Sequence, residues 1–186
     1  NMVKDKMFSR NLANRLWKQM FNMALADPID QLDPDRLDPK NPPPAPWTFQ
    51  ATHPQLLEDL SDWMVSYDFN LREFLRLLTE SSAYQLSSQY DGEYKLDYVP
   101  LFARHYVRRL EAEEIHDAIT VSTRVFPSYT VQGFSEPLRY AMQLPDTSEP
   151  RSNGGANTFL NVFLRGNREL QPRQQIGSTL QQLYLM

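Results

Sequence analysis

The sequence predicts a mainly α-helical fold: an irregular multi-helix domain built around an antiparallel helical hairpin, with long Pro-rich loops and at most a small β-hairpin. Three observations predict it. Apolar residues recur at helical spacing in most of the non-loop chain. Cap-forming residues stand just ahead of those runs. Prolines gather in the connections, where they interrupt nothing. The hairpin is read over Ala51–Ser88. Thr52, Pro54 and Gln55 open its first helix, and Leu56, Leu57, Leu60, Trp63, Met64 and Tyr67 supply the stripe. Asn70 and Glu73 open the second, with Leu71, Phe74, Leu75, Leu77 and Leu78 as its stripe. A linker of about three residues places two such helices side by side, each shielding the other.

The remaining elements follow in order. Lys6–Leu25 predicts a helix with a wide apolar face. Phe8, Leu12, Leu16 and Met20 form one row; Ala13, Trp17 and Phe21 form the next. Arg10, Arg15 and Lys18 fall toward its edges. The stem of Arg15 suits packing on the core with its head paired or solvated, the alternative being an anion or partner contact. Asp27–Gln50 then concentrates prolines and aspartates. Repeated Asp-Pro pairs and Pro42–Pro44 disfavour helix, so a stiff connection is expected, pinned at its far end by Trp47 and Phe49. Its aspartates lack the Gly and Glu of a calcium-loop pattern. Val99–His105 predicts a short helix opening at Pro100. Leu110–Val125 predicts a longer one whose shared face is Leu110, Ile115, Ala118, Ile119, Ser122 and Val125. Tyr129–Val131 and Arg139–Leu144 suit short extended segments. Asp146–Asn157 reads as a polar loop around Gly154-Gly155. Thr158–Arg165 is an apolar helix stopped by Gly166, and Ser178 or Thr179 caps a last helix. About six helices in a single domain over residues 1–186 are expected, from a chain whose ends suit a fragment of a larger protein.

Composition excludes several function classes. A net charge of −4 argues against a nucleic-acid footprint. No apolar run approaches the roughly 18 residues of a membrane span. With no cysteine the chain holds no disulfide, cysteine-ligated zinc, iron–sulfur cluster or c-type haem attachment, and no cofactor is expected in it. Glu113-x-x-His116 has the spacing of half a di-iron motif. Neither His53 nor His105 follows a Glu at that spacing, so the motif reads as surface residues of an amphipathic helix, and no metal is expected. His53 at a helix start reads as a structural histidine able to hydrogen-bond there. Arg104, Arg108 and Arg109, and again Arg165, Arg168 and Arg173, suit ion pairing or domain docking. No nucleophile elbow, phosphate loop or metalloprotease motif is present.

A set of blocks carries a family resemblance. They are Asn14-Arg15-Leu16-Trp17, Asp27-Pro28-Ile29-Asp30, His53-Pro54-Gln55-Leu56-Leu57, Tyr84–Ser88, Arg108–Glu113, Asp117-Ala118-Ile119, Phe159-Leu160 to Arg168 and Thr179–Met186. In this order they resemble the planctomycete-specific domain family catalogued as domain of unknown function 1553. The resemblance implies a C-terminal module of exported bacterial multidomain proteins, periplasmic or secreted. Its expected partners are upstream domains of the same polypeptide, among them a cytochrome-c-like domain. No catalytic residue is established for the family. Its recurring polar positions, here Arg15, His53, Arg109, Glu111 and Asp117, are candidate site residues. The leading expectation is a non-catalytic structural or interaction module. The alternatives are part of an enzyme acting on extracellular polysaccharide, completed by an upstream domain, and a docking module for a c-type cytochrome domain in electron transfer.

Overall fold

A computed structural model describes residues 5–166 and 176–186. It is mainly α-helical, and among the described residues there is no strand. The helices are α1 (Lys6–Phe21), α2 (Pro54–Ser66), α3 (Leu71–Glu80), α4 (Ala112–Thr123), α5 (Gly154–Val162) and α6 (Thr179–Tyr184). Short 3₁₀ turns lie at Pro34–Arg36, Leu96–Leu101 and Ala141–Gln143. Two compact units are distinguished, Asn1–Arg108 and Arg109–Met186.

In the first unit α1 is the organising element. Its N-cap Asp5 accepts from the Met7 N–H, and Asn22 ends it in the left-handed conformation, short of the predicted Leu25. The buried face holds Ala13, Trp17 and Phe21, with Trp17 and Phe21 stacked at 3.8 Å and Phe102 edge-on to both. That face also carries Ser9, Arg10 and Asn14. Arg10, expected at the edge, is buried and reaches Glu58 of α2 at 2.8 Å. Lys6 joins the same carboxylate at 2.9 Å and also pairs with Asp62. Burial pulls the Lys6 pKa down, but its bonds to Asp62 and Glu58 outweigh that, so the net shift is upward. Ser9 and Ser61, both fully buried, share a hydrogen bond of 2.6 Å where α1 and α2 cross. Small side chains at that point let the two backbones approach closely.

The expected hairpin is present in order but packs differently. α2 lies mainly on α1 rather than on α3, and α3 also touches α1. Leu57, Leu60, Met64, Phe74 and Leu78 enter the common core, while Trp63 packs half-buried against it. Leu71 and Leu77 remain exposed, because a third helix already covers the core. Asp68 and Phe69 turn the chain with positive φ, and Asn70 caps α3 through the Glu73 N–H. Thr52 is not the cap of α2: its N–H and hydroxyl both bond the Leu25 carbonyl, and His53 takes the cap position.

The Pro-rich connection is held by Gln50 rather than by Trp47, which is 60% exposed under the Arg36 guanidinium. The Gln50 amide accepts from Asp33 N–H and donates to the Asp27 and Gln31 carbonyls, at 2.8–3.1 Å. Leu37 is the connection's fully buried anchor. Its aspartates serve local bonds. Asp33 caps a turn, and Asp38 accepts from the Lys40 N–H and the Asn41 amide, which lower its pKa in that order.

In the second unit α4 starts at a capping box formed by Glu111 and Glu114. Its buried residues are Ala112, Glu113 and Thr120, not the predicted apolar stripe. Leu110, Ala118, Ile119, Ser122 and Val125 are exposed, and Ile115 is half-buried. The expected extended pair reduces to a single bridge, Tyr129 with Leu138. Arg139–Leu144 instead carries the 3₁₀ turn. Gly154-Gly155 opens α5, where a loop was expected, because Asn153 accepts the Ala156 N–H at 3.0 Å and Ala156 and Leu160 are buried. Ser178 caps α6 in a second capping box, as predicted. Gln181 ties α6 down by donating to the Val162 carbonyl at 3.1 Å.

Candidate functional site

The five candidate residues are divided between the two units, and each is described within its own. Arg15 and His53 belong to the first unit; Arg109, Glu111 and Asp117 belong to the second. Arg15 is half-exposed, bonds Asn11 at 2.7 Å and pairs with Asp30. Both partners lie on α1 and the following loop, so Arg15 braces that loop. The His53 Nε2 donates to the Pro100 carbonyl at 2.9 Å, tying the start of α2 to the Leu96–Leu101 turn. Among the described residues no bond joins Arg15 to His53.

Arg109 lies across Gly177, where a β-carbon would stand 2.6 Å from Nη1, and donates to Gln181 at 3.4 Å. It therefore relates the entry of α4 to the start of α6. Glu111 is the cap of α4, and its backbone N–H donates to Glu114 at 2.8 Å. Asp117 accepts the Ala141 and Met142 N–H groups at 2.6 and 3.0 Å, capping a 3₁₀ turn remote in sequence. Arg168 and Arg173 lie outside the described residues.

What the second unit does present is a cleft of about 580 Å³, open to solvent between α4 and the start of α5. Its apolar lining is Ile119, Val125, Pro127, Ala156 and Phe159; its polar lining includes His116, Thr120 and Asn153. His116, expected on the surface, is largely covered and meets the Phe159 ring edge-on at 5.3 Å. The Tyr129 hydroxyl lies 3.3 and 3.5 Å from its two ring nitrogens. The Asp117 carboxylate is 3.6 Å from its Nδ1. Tyr129 is fully buried, and its pKa is pushed up to about 12 by burial and by the charge of Asp117. Glu113, the other half of the sequence motif, is buried rather than on the surface. Among the described residues no three His, Asp or Glu side chains converge as metal ligands would.

Other polar centres were missed by sequence reasoning. Asn14 is fully buried, accepts the Leu25 and Ala26 N–H groups at 2.9 and 3.0 Å, and donates to the Ala26 carbonyl at 2.7 Å. The available signal was a polar residue inside the Ala13–Trp17–Phe21 face. A second centre stacks the Arg104 guanidinium on Tyr94 at 4.2 Å, with Tyr94 and Tyr106 sharing a short hydroxyl bond. Burial, then that bond, push the Tyr106 pKa up to about 12.

Comparison with family models matches residues 3–172 to PSD1, a protein family of unknown function (DUF1553). The chain belongs to this family. The match confirms the resemblance carried by the sequence blocks, although the block at 179–186 lies beyond the matched residues. Membership brings no chemistry with it, so the site residues stand on their geometry alone. No curated protein and no solved structure matches the chain. Among the described residues no helix is long and apolar enough to cross a membrane.

Proposed function

We propose that the chain is a non-catalytic interaction module of an exported bacterial multidomain protein, docking onto upstream domains of the same polypeptide. The observation that supports it is α4. This helix leaves Ala118, Ile119 and Val121 exposed, Val121 at 57%, with Val125 just beyond its end 73% exposed, while Glu113 and Thr120 are buried. Phe126 and Met142 add further exposed apolar area in the same unit. Exposed apolar area of this kind favours an interaction surface. Placement of the candidate polar residues agrees with a non-catalytic role. His53 and Asp117 hold backbone groups, Arg15 pairs with Asp30, and Glu111 caps a helix.

The test is hydrogen exchange on the longer parent and on this chain alone. Docking predicts that amides of α4 and of residues 124–126 exchange more slowly in the parent. Equal exchange in both would count against it. His116 beside Tyr129 in the cleft favours a second reading, in which the chain forms part of an enzyme acting on extracellular polysaccharide, completed by an upstream domain. In that case His116→Ala abolishes turnover by the parent without altering its assembly. A cytochrome-c-like domain as the docking partner is the electron-transfer version of the first reading.

A further inference from the structure

The cleft in the second unit is rich in donors and poor in acceptors. Its volume, about 580 Å³, falls in the range of small-molecule sites. Three donors border it. One is the His116 imidazole, placed between Tyr129 and Phe159. The second is Thr120, only 3% exposed, whose hydroxyl has no hydrogen-bond partner among the described residues although it lines the cleft. The third is the Gly155 N–H, in the first turn of α5, where no intrahelical acceptor exists. The neighbouring cap does not use it, because Asn153 Oδ1 accepts from Ala156. Thr123, also on the rim, already donates to the Ile119 carbonyl at 2.8 Å. Among the described residues lining the cleft there is no Asp or Glu; the Asp117 carboxylate, 3.6 Å from the His116 Nδ1, is not part of the lining. The positive end of α5 adds to the preference for negative charge.

We propose that this cleft binds a small carboxylate with an apolar body. The carboxylate accepts from His116, Thr120 and the Gly155 N–H, and the body lies against Phe159, Ile119 and Val125. The Thr120 hydroxyl, on the cleft lining, has no bond to give up among the described residues, so an acceptor delivered by a ligand can bond it without breaking one. Apolar walls without charge would suit a neutral hydrocarbon equally well. The donors are what select a carboxylate over it.

The proposal goes beyond the docking assignment, and its test uses the 186-residue chain alone, so failure of either is seen separately. 4-Methylbenzoate is titrated into ¹⁵N-labelled chain and followed by NMR, with 4-methylbenzamide as the neutral match. The expected result is saturable shifts at Thr120, Gly155 and His116, with a dissociation constant of about 0.1–10 mM, as fits a fragment-sized ligand. The amide should bind at least about tenfold more weakly, because charge-assisted bonds are lost. Thr120→Val keeps the shape of the side chain and should weaken the benzoate about five- to tenfold. Should that variant not fold, the benzoate-to-amide comparison on the unaltered chain decides. Absence of saturation, shifts confined to residues outside the cleft, or equal affinity for the amide would each overturn the proposal.

Discussion

Replacing Asn14 with Ala tests how the first unit is held together. The side chain is 0% exposed and makes three bonds to the loop after α1, at 2.7–3.0 Å. Leu25 and Ala26 are themselves fully buried, so water does not replace the lost partner. Truncation leaves two N–H groups and one carbonyl unsatisfied. Each buried unsatisfied group costs about 1–3 kcal/mol, and partial relaxation brings the expected total to about 3–5 kcal/mol. Asn11→Ala is the internal control: Asn11 is half-buried, donates to the Ile29 carbonyl at 3.3 Å and accepts from the solvent-exposed Arg15 at 2.7 Å, bonds that water can replace, so its loss should cost about 0–1 kcal/mol. Urea denaturation followed by tryptophan fluorescence is the suitable assay, because Trp17, Trp47 and Trp63 all lie in the first unit. A midpoint lowered at unchanged slope is expected. A loss under about 1 kcal/mol for Asn14→Ala, or one equal to that of Asn11→Ala, would refute the account of this unit.

Three further outcomes are expected. Leu78→Ala, at a fully packed core position, should cost about 2–5 kcal/mol in the same melts. Asp117→Ala frees the Ala141 and Met142 N–H groups and should destabilise the second unit by about 1–3 kcal/mol, seen as faster amide exchange there. Tyr129 ionises near 10 when unfolded and near 12 when folded, so the folded state holds its proton longer. Its stabilisation is complete below pH 10 and declines by up to about 3 kcal/mol as the pH rises to 12, a decline that Tyr129→Phe should remove from alkaline melts of the second unit.

Elements with their own local signals were legible in the sequence. Asn70 and Ser178 cap where their spacing placed them, and α1 shows its predicted Ala13–Trp17–Phe21 face. What failed was information that resides in tertiary contacts. Periodicity found the apolar stripe of α4 but could not say whether it turns inward. Glycine propensity argued against a helix at Gly154-Gly155, yet the Asn153 cap and the burial of Ala156 and Leu160 outweigh it. His53 displaced Thr52 as cap because Thr52 pairs with Leu25, 27 residues earlier in the chain. The candidate residues were chosen by block resemblance, which marks positions that matter without separating structural from chemical importance. In this chain most of them bond backbone or cap helices. His116 and Thr120 escaped selection as site residues because their common cleft forms only when α5 closes against α4.

The outward stripe of α4 is the centre of the functional account, and a charge placed on it is the most direct test. Val121 and Ala118 are exposed and are not among the residues lining the α4–α5 cleft, so Val121→Glu and Ala118→Glu should leave the melt of this chain within about 0.5 kcal/mol. Binding of each variant to the separately expressed upstream segment is then measured by calorimetry against the unaltered chain. The docking account predicts saturable binding by the unaltered chain and a loss of at least about tenfold in affinity for each variant. Undiminished affinity in both variants, or no binding by the unaltered chain, would contradict it.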